Sequence, residues 1–293
     1  MGNFHVKMNG IFSGQKVIHN TFLNLIGLHV FRILLSRLFY SIRTMLLFSE
    51  LSDDQKTLRQ DGIIIIKNFL PNEKFQAIKH EFENAKNFDG TDSEINDGDS
   101  IWTRRKFNRI QYSKLSNTND LLTDVRLLDL ISVGEARKVI PPDAVWFDKI
   151  YYPEKKIDGK NDASHVELFH LDIFFHSLKS MYFIDDVRDE NGPFNFSPGS
   201  QHLSVKRLWF EYKKSIGHNK EENRDLEANE KDRIFLGLKN IKAIVPGNTL
   251  VVFDGCAFHK RGEALTGSKR STIYLQFRFN PFSLKTIIKP KIK

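Results

Sequence analysis

Helical patterns in the first half of the chain and short strands in the second predict an α+β fold, with a β-sandwich or barrel carrying any site. Three observations support this. Apolar residues recur at helical spacing as far as Val139, and beyond it short apolar or alternating runs are separated by Gly, Pro and Asn. The 25 phenylalanines lift the aromatic content to 12%, which suits a β-rich core with large inward rings. At 293 residues the chain is long enough to bury such a core, and no internal repeat divides it.

The first element is an N-terminal amphipathic helix. Thr21 to Phe48 is rich in Leu, Ile and Phe and contains no proline. His29, Arg32, Ser36, Tyr40 and Arg43 recur at steps of three or four, which makes one polar stripe. Phe22, Leu25, Leu34, Leu38, Ile42 and Met45 make the rest of the surface apolar. Arg32 and Arg37 interrupt any uncharged run long enough to span a bilayer. The basic residues lie within the apolar run rather than before it, unlike a signal peptide, and the first residues lack a myristoylation pattern. Two readings stay open: a helix packed on the body, or one lying in a membrane interface.

Next, Asp61-Gly62 precedes Ile63 to Ile66, a buried strand bounded by turn residues. Asn68-Phe69-Leu70-Pro71 opens a helix to about Asn87, with Phe75, Ile78 and Phe82 on one face. Residues 87–100 read as a polar loop, and Asn119 to Val139 as a helix ended by Pro141-Pro142. Strands follow at Val145 to Tyr152, Lys179 to Ile184, Thr249 to Phe253 and Ser271 to Phe279. The charged segment 217–233 reads as a solvated helix or loop, with a mobile lid as the other reading.

Charge and cysteine usage exclude some classes. The net charge is +8, but residues 1–50 carry +4 and residues 281–293, with Lys285, Lys289, Lys291 and Lys293, carry the other +4. The body between is close to neutral, so there is no basic groove for nucleic acid, and basic ends suit an anionic surface better. A single cysteine, Cys256, forbids an intramolecular disulfide and fits a reducing, cytoplasmic compartment.

Three features in the strand-rich half carry chemistry. In Phe169-His170-Leu171-Asp172, extended backbone would put His170 and Asp172 on one face, able to reach one metal ion. His259 follows an apolar strand and can close a 2-His-1-carboxylate set with open positions, the pattern of non-haem Fe(II) oxygenases. Arg270, eleven residues later, starts the next strand and can grip a carboxylate bidentately. Lys179 and Arg261 could meet an anionic substrate or be solvated strand ends. His165, His176 and His202 read as loop or strand-face histidines, and Cys256 as a small buried hydrophobe.

At these residues the chain resembles the phytanoyl-CoA dioxygenase family of Fe(II)- and 2-oxoglutarate-dependent oxygenases. It shares the His-x-Asp pair, a distal His about 90 residues on and an Arg at the eleventh position after it. Asn191-Gly192-Pro193 through Pro198-Gly199-Ser200 is similar to a further family segment. The resemblance spans about residues 52–282. It implies a double-stranded β-helix (jelly-roll, cupin-like) core flanked by helices. It also implies iron on His170, Asp172 and His259, and the distal carboxylate of 2-oxoglutarate on Arg270. Tyr182 stands where the family places an aromatic residue near the cosubstrate. With O2, the expected reaction hydroxylates a small-molecule or lipid-linked substrate and releases succinate and CO2; the carboxylate at Asp172 argues for hydroxylation over halogenation. A protein-residue hydroxylase and a non-catalytic β-barrel binding module are the alternatives.

The chain differs from the family at Gly247-Asn248, at Arg261 and at Gln201-His202. The expected organisation is a helical extension over 1–51, the dioxygenase domain over 52–282 and a basic tail over 283–293. Peripheral membrane contact would run through residues 21–48 and that tail.

Overall fold

The structure is a computed structural model and describes residues 15–47, 50–96, 100–153, 168–217, 226–277 and 279–283. Helix α1 (Thr21–Leu25) is capped by Asn20, whose side chain accepts from Leu23 N at 3.0 Å. Helix α2 (Leu28–Leu47) follows at once. Helix α3 (Asp53–Asp61) opens with a capping box between Ser52 and Gln55 and ends on Gly62, whose φ of 76° is the left-handed stop that favours glycine. Strand β1 (Ile63–Ile66), helix α4 (Asn72–Glu83) and a 3-10 turn at Ala85–Asn87 come next.

Strands β2 (Thr91–Asn96) and β3 (Ile101–Asn108) then precede α5 (Arg109–Tyr112), α6 (Ser116–Thr123), α7 (Val125–Glu135) and β4 (Ala144–Tyr151). The remaining elements are β5 (Phe169–His170), β6 (Leu178–Phe183), β7 (Phe194–Phe196), α8 (Val205–Ile216), β8 (Glu227–Ala228), α9 (Glu230–Leu236), β9 (Ile241–Lys242), β10 (Thr249–Asp254), β11 (His259–Arg261) and β12 (Lys269–Gln276).

Among the described residues the strands form two antiparallel sheets. A seven-stranded sheet runs β1-β10-β6-β12-β4-β3-β2, and a five-stranded one runs β8-β5-β11-β7-β9. Alternation along each strand of the larger sheet feeds two cores. One face, with Phe147, Tyr182, Leu250 and Ile273, packs on the helices through Leu58, Phe82 and Leu127. The other face, with Met181, Phe183, Val251 and Phe253, meets Phe194 and Phe196 of the smaller sheet. Both faces are covered, which explains why β1 and β10 read as continuous apolar runs. Helix α7 lies close on β6 because residue 134 is glycine: a Cβ there would stand 2.2 Å from Leu178 Cδ2.

Three sequence expectations need correction. Residues 91–96 are strand β2, paired with β3, rather than loop. Every β2 residue is exposed, so no apolar alternation advertised it; backbone pairing holds it. Asn119 to Val139 is two helices, because Asp124 leaves the helical conformation (φ −59°, ψ 125°) and its side chain accepts from Arg126 N at 2.9 Å, starting α7 anew. The charged segment 217–233 is not wholly solvated. Residues 218–225 lie outside the described residues, but β8 is buried and pairs with β5, Glu227 opposite His170.

Helix α2 packs on the body. Its polar residues His29, Arg32, Ser36 and Arg43 are buried. Among the described residues no helix is long and apolar enough to cross a membrane.

Candidate metal and cosubstrate site

The five-stranded sheet brings the proposed ligands together by register. His170 on β5 and His259 on β11 are direct cross-strand partners, with ring centroids 4.6 Å apart. Asp172 lies in a bend just past β5, where its backbone N–H donates to Gly255 O at 2.9 Å and ties the bend to the end of β10. One nitrogen or oxygen from each of the three side chains lies within 4.8 Å of the others. His259 Nε2 stands 3.0 Å from Asp172 Oδ2, and His170 Nε2 stands 3.9 Å from Asp172 Oδ1.

Each histidine is aimed by the carbonyl two residues before it. His170 Nδ1 donates to Leu168 O and His259 Nδ1 to Ala257 O, both at 2.9 Å. The Nε2 lone pairs therefore point into the cluster, as metal-ligating imidazoles require. Burial, with His259 adding to it, lowers the His170 pKa to about 3, so its ring is neutral at physiological pH. Burial alone would raise the Asp172 carboxyl, but Lys179 and the two imidazoles overrule it and hold it well below the usual range. Two imidazole nitrogens and one charged carboxylate on one face of a cavity fit Fe(II).

The cavity, about 390 Å3, opens between the two sheets. Arg270 lines it from β12 together with the three ligands. Its guanidinium is buried, donates from Nη1 to Gly192 O, and leaves Nε without a partner among the described residues. Gly192 has φ 63°, and a Cβ there would stand 2.4 Å from Tyr152 Oη, so the turn that offers this carbonyl needs glycine. Burial lowers the Arg270 pKa, and the neighbouring Arg261 cation lowers it too. Two adjacent guanidinium groups, one with an unused donor, fit an incoming carboxylate.

Tyr182 is not in this cavity. On β6, Lys179 and Met181 face the metal cluster, so Tyr182 faces the helices, packing edge-on against Phe69 and Phe75. Its hydroxyl donates to Asn248 Oδ1 at 2.7 Å, and Asn248 also brackets Leu70, accepting from its N and donating to its O. Asn248 has φ 60°, a conformation asparagine tolerates, which accounts for its place after Gly247.

Lys179 is buried and donates to Asp172 Oδ2 at 2.5 Å, so it is neither a solvated strand end nor a free anion binder. Arg261 is also buried and donates to Ser100 Oγ at 2.9 Å. His176 donates to Asp254 and accepts from Arg37 of α2, beside the Cys256 thiol, to which Arg37 Nη2 donates at 3.3 Å. That His176, Asp254 and Cys256 group could hold a metal by proximity, but the Arg37 cation already fills it. Burial pushes the Cys256 thiol up to about 12, which removes nucleophile chemistry. His202 is exposed and caps Gln60 O at 2.9 Å; His165 lies outside the described residues.

Sequence reading missed one wall of the cavity. Trp102 and Arg104 on β3 and Trp146 and Asp148 on β4 line it, with Arg104 clamped on Asp148 at 2.8 and 3.0 Å. The Arg104 guanidinium also lies 4.6 Å from the Trp102 ring. A period-2 reading of Trp102, Arg104 and Lys106 would have marked one face of a strand.

Residues 58–272 match the family described as Phytanoyl-CoA dioxygenase (PhyH). No curated protein matches the chain. Solved structures similar to it include AviO1 from Streptomyces viridochromogenes Tue57, at 16% identity over 79% of this chain and 97% of that one, with a TM-score of 0.48. The epimerase SnoN, solved with Fe3+, alpha ketoglutarate and nogalamycin RO, is similar at 14% identity over 82% and 90%, TM-score 0.48. EctD from S. alaskensis is similar at 15% identity over 82% and 85%, TM-score 0.48. With nearly three quarters of its length matched and the His170, Asp172 and His259 cluster assembled, the chain belongs to the phytanoyl-CoA dioxygenase family, as a 2-oxoglutarate-dependent non-haem iron oxygenase.

Proposed function

We propose that the protein hydroxylates a small-molecule or lipid-linked substrate at iron held by His170, Asp172 and His259, with release of succinate and CO2. The observation that carries this reading is one cavity that joins the three-ligand cluster to a buried arginine with an unused donor. Iron bound there would activate O2, the oxidant, with 2-oxoglutarate giving two electrons as it becomes succinate and CO2 and the substrate C–H giving the other two; the chain supplies ligands, orientation and a partly water-excluding wall. Arg270 takes the distal carboxylate of 2-oxoglutarate, and the backbone carbonyl of Gly192 holds its guanidinium in place. Lys179 keeps Asp172 ionised and fixed. Trp102, Trp146 and Tyr274 give the substrate an apolar wall, while five cations against two carboxylates around the cavity favour a substrate with an acidic group. A double-stranded β-helix, the barrel the two antiparallel sheets would form, suits this placement of ligands on the inner strands.

The test is Fe(II)-dependent decarboxylation of 2-oxoglutarate, with candidate acids and lipids screened for stimulated succinate production. His170→Ala and Asp172→Ala should each abolish turnover. Wild-type turnover in either variant would end the reading.

A further inference from the structure

Helices α1 and α2 are packed with their polar side inward. Arg32 is fully buried, donates to Lys16 O at 2.7 Å, and stacks 4.0 Å from the Phe174 ring. His29 pairs with Glu211 of α8 at 3.2 Å, Arg37 reaches the Asp254 cluster, and Arg43 donates to Ala136 O and Pro281 O. An amphipathic helix on a globular body ordinarily buries its apolar stripe instead. Here that stripe faces away: Phe22 is 68% exposed, Ile26 66% and Met45 77%, with Phe31, Leu34 and Leu38 about half exposed between them. Six side chains each exposing on the order of 100 Å2 add up to roughly 600 Å2, the upper end of the largest apolar patch on a typical monomer, where such patches are often functional.

The surroundings say what covers this face. On α8, Trp209 is exposed, stacks on Tyr212, and Tyr212 donates to Leu25 O at 3.1 Å, so the aromatic pair borders α1. Lys206 and Lys213 are exposed on the same helix. The last described segment also ends here, with the Phe282 ring 5.9 Å from Phe39 of α2. The sequence that follows holds Lys285, Lys289, Lys291 and Lys293 and no acid. Apolar side chains in the middle, Trp and Tyr at the edge and lysines around them match the layers of a bilayer surface.

We propose that α1, α2 and the outer edge of α8 dock on an anionic lipid bilayer, with α2 lying in the plane of the interface. The α2 arginines cannot supply the attraction, because they are spent inward; the α8 lysines and the C-terminal lysines do. A second copy of the chain is the weaker occupant, since a symmetric pair would bring two equal sets of lysines together. The proposal does not rest on the iron chemistry.

The experiment is co-sedimentation of the full chain with vesicles of phosphatidylcholine alone or mixed with phosphatidylserine. Wild-type protein should pellet with the mixed vesicles, less with neutral ones, and release as salt rises. The combined Phe31→Gln, Leu34→Gln and Leu38→Gln variant changes only outward residues, so its melting temperature should hold while partitioning falls roughly tenfold or more. Replacing Lys285, Lys289, Lys291 and Lys293 with Gln should weaken the preference for phosphatidylserine, and replacing Lys206 and Lys213 as well should remove it. Equal partitioning of wild type and the apolar variant would overturn the proposal. So would a wild-type dimer, seen by light scattering, that the same variant splits while neither binds vesicles.

Discussion

Lys179 and Arg270 are both buried cations in one cavity, and they differ in what answers them. Lys179 has Asp172 at 2.5 Å, and that pairing, against burial, raises its pKa further. Arg270 has a carbonyl, an unused Nε and a second guanidinium nearby, so its charge waits for a ligand. Replacing it with Leu removes one charge-assisted, fork-shaped contact. The 2-oxoglutarate concentration for half-maximal decarboxylation should rise roughly 100-fold, equivalent to about 2.7 kcal/mol, while the Fe(II) requirement changes little. Equal losses in both would remove the assignment. The ligands themselves could be read from sequence because a His-x-Asp spacing is a local fact. Tyr182 could not, because the side of β6 it occupies depends on which neighbour its strand meets.

At the scale of elements, α2 is held to the strand-rich body through His176. That imidazole lies between Arg37 of α2 and Asp254 at the end of β10. Burial, then Arg37, lowers its pKa to about 4 from 6.5. Between those values the unfolded chain binds a proton and the folded chain does not, so stability is full above 6.5 and falls as pH drops through the window. The loss from His176 by about pH 5 is roughly 2 kcal/mol. His170, depressed to about 3, adds a loss of the same sign. Thermal melts of the metal-free protein should therefore show a pH slope that His176→Gln reduces without abolishing. An unchanged slope would show that His176 titrates normally. Helix α2 was legible as an element with one polar stripe, yet the side that stripe would face was not; that took Glu211, Phe174 and Asp254, all far away in the chain.

At the scale of the whole molecule, the site spans both sheets. His170 and His259 stand on the five-stranded sheet and Arg270 on the seven-stranded one, so iron and 2-oxoglutarate together would tie them across the cavity. Ligand at about 100 times its Kd stabilises the folded state by about 2.7 kcal/mol. Under anaerobic conditions, Fe(II) plus 2-oxoglutarate should raise Tm by several degrees over Fe(II) alone. In Arg270→Leu the Fe(II) increment should persist and the 2-oxoglutarate increment should shrink. An identical 2-oxoglutarate increment in wild type and variant would mean that the cosubstrate does not reach across to β12.

The amino-acid sequence by itself determined what is local: the strand at Ile63 to Ile66, the helix after Pro71, the spacing of His170, Asp172, His259 and Arg270, and the family they mark. Periodicity and spacing are read along the chain itself, so they survive without coordinates. Tertiary structure alone decided the pairing of exposed β2 with β3, the Lys179 contact to Asp172, the Trp102 and Arg104 wall, and the outward turn of the α2 apolar stripe. Each of these depends on register or packing between segments distant in the chain, and on which buried charge finds its partner there.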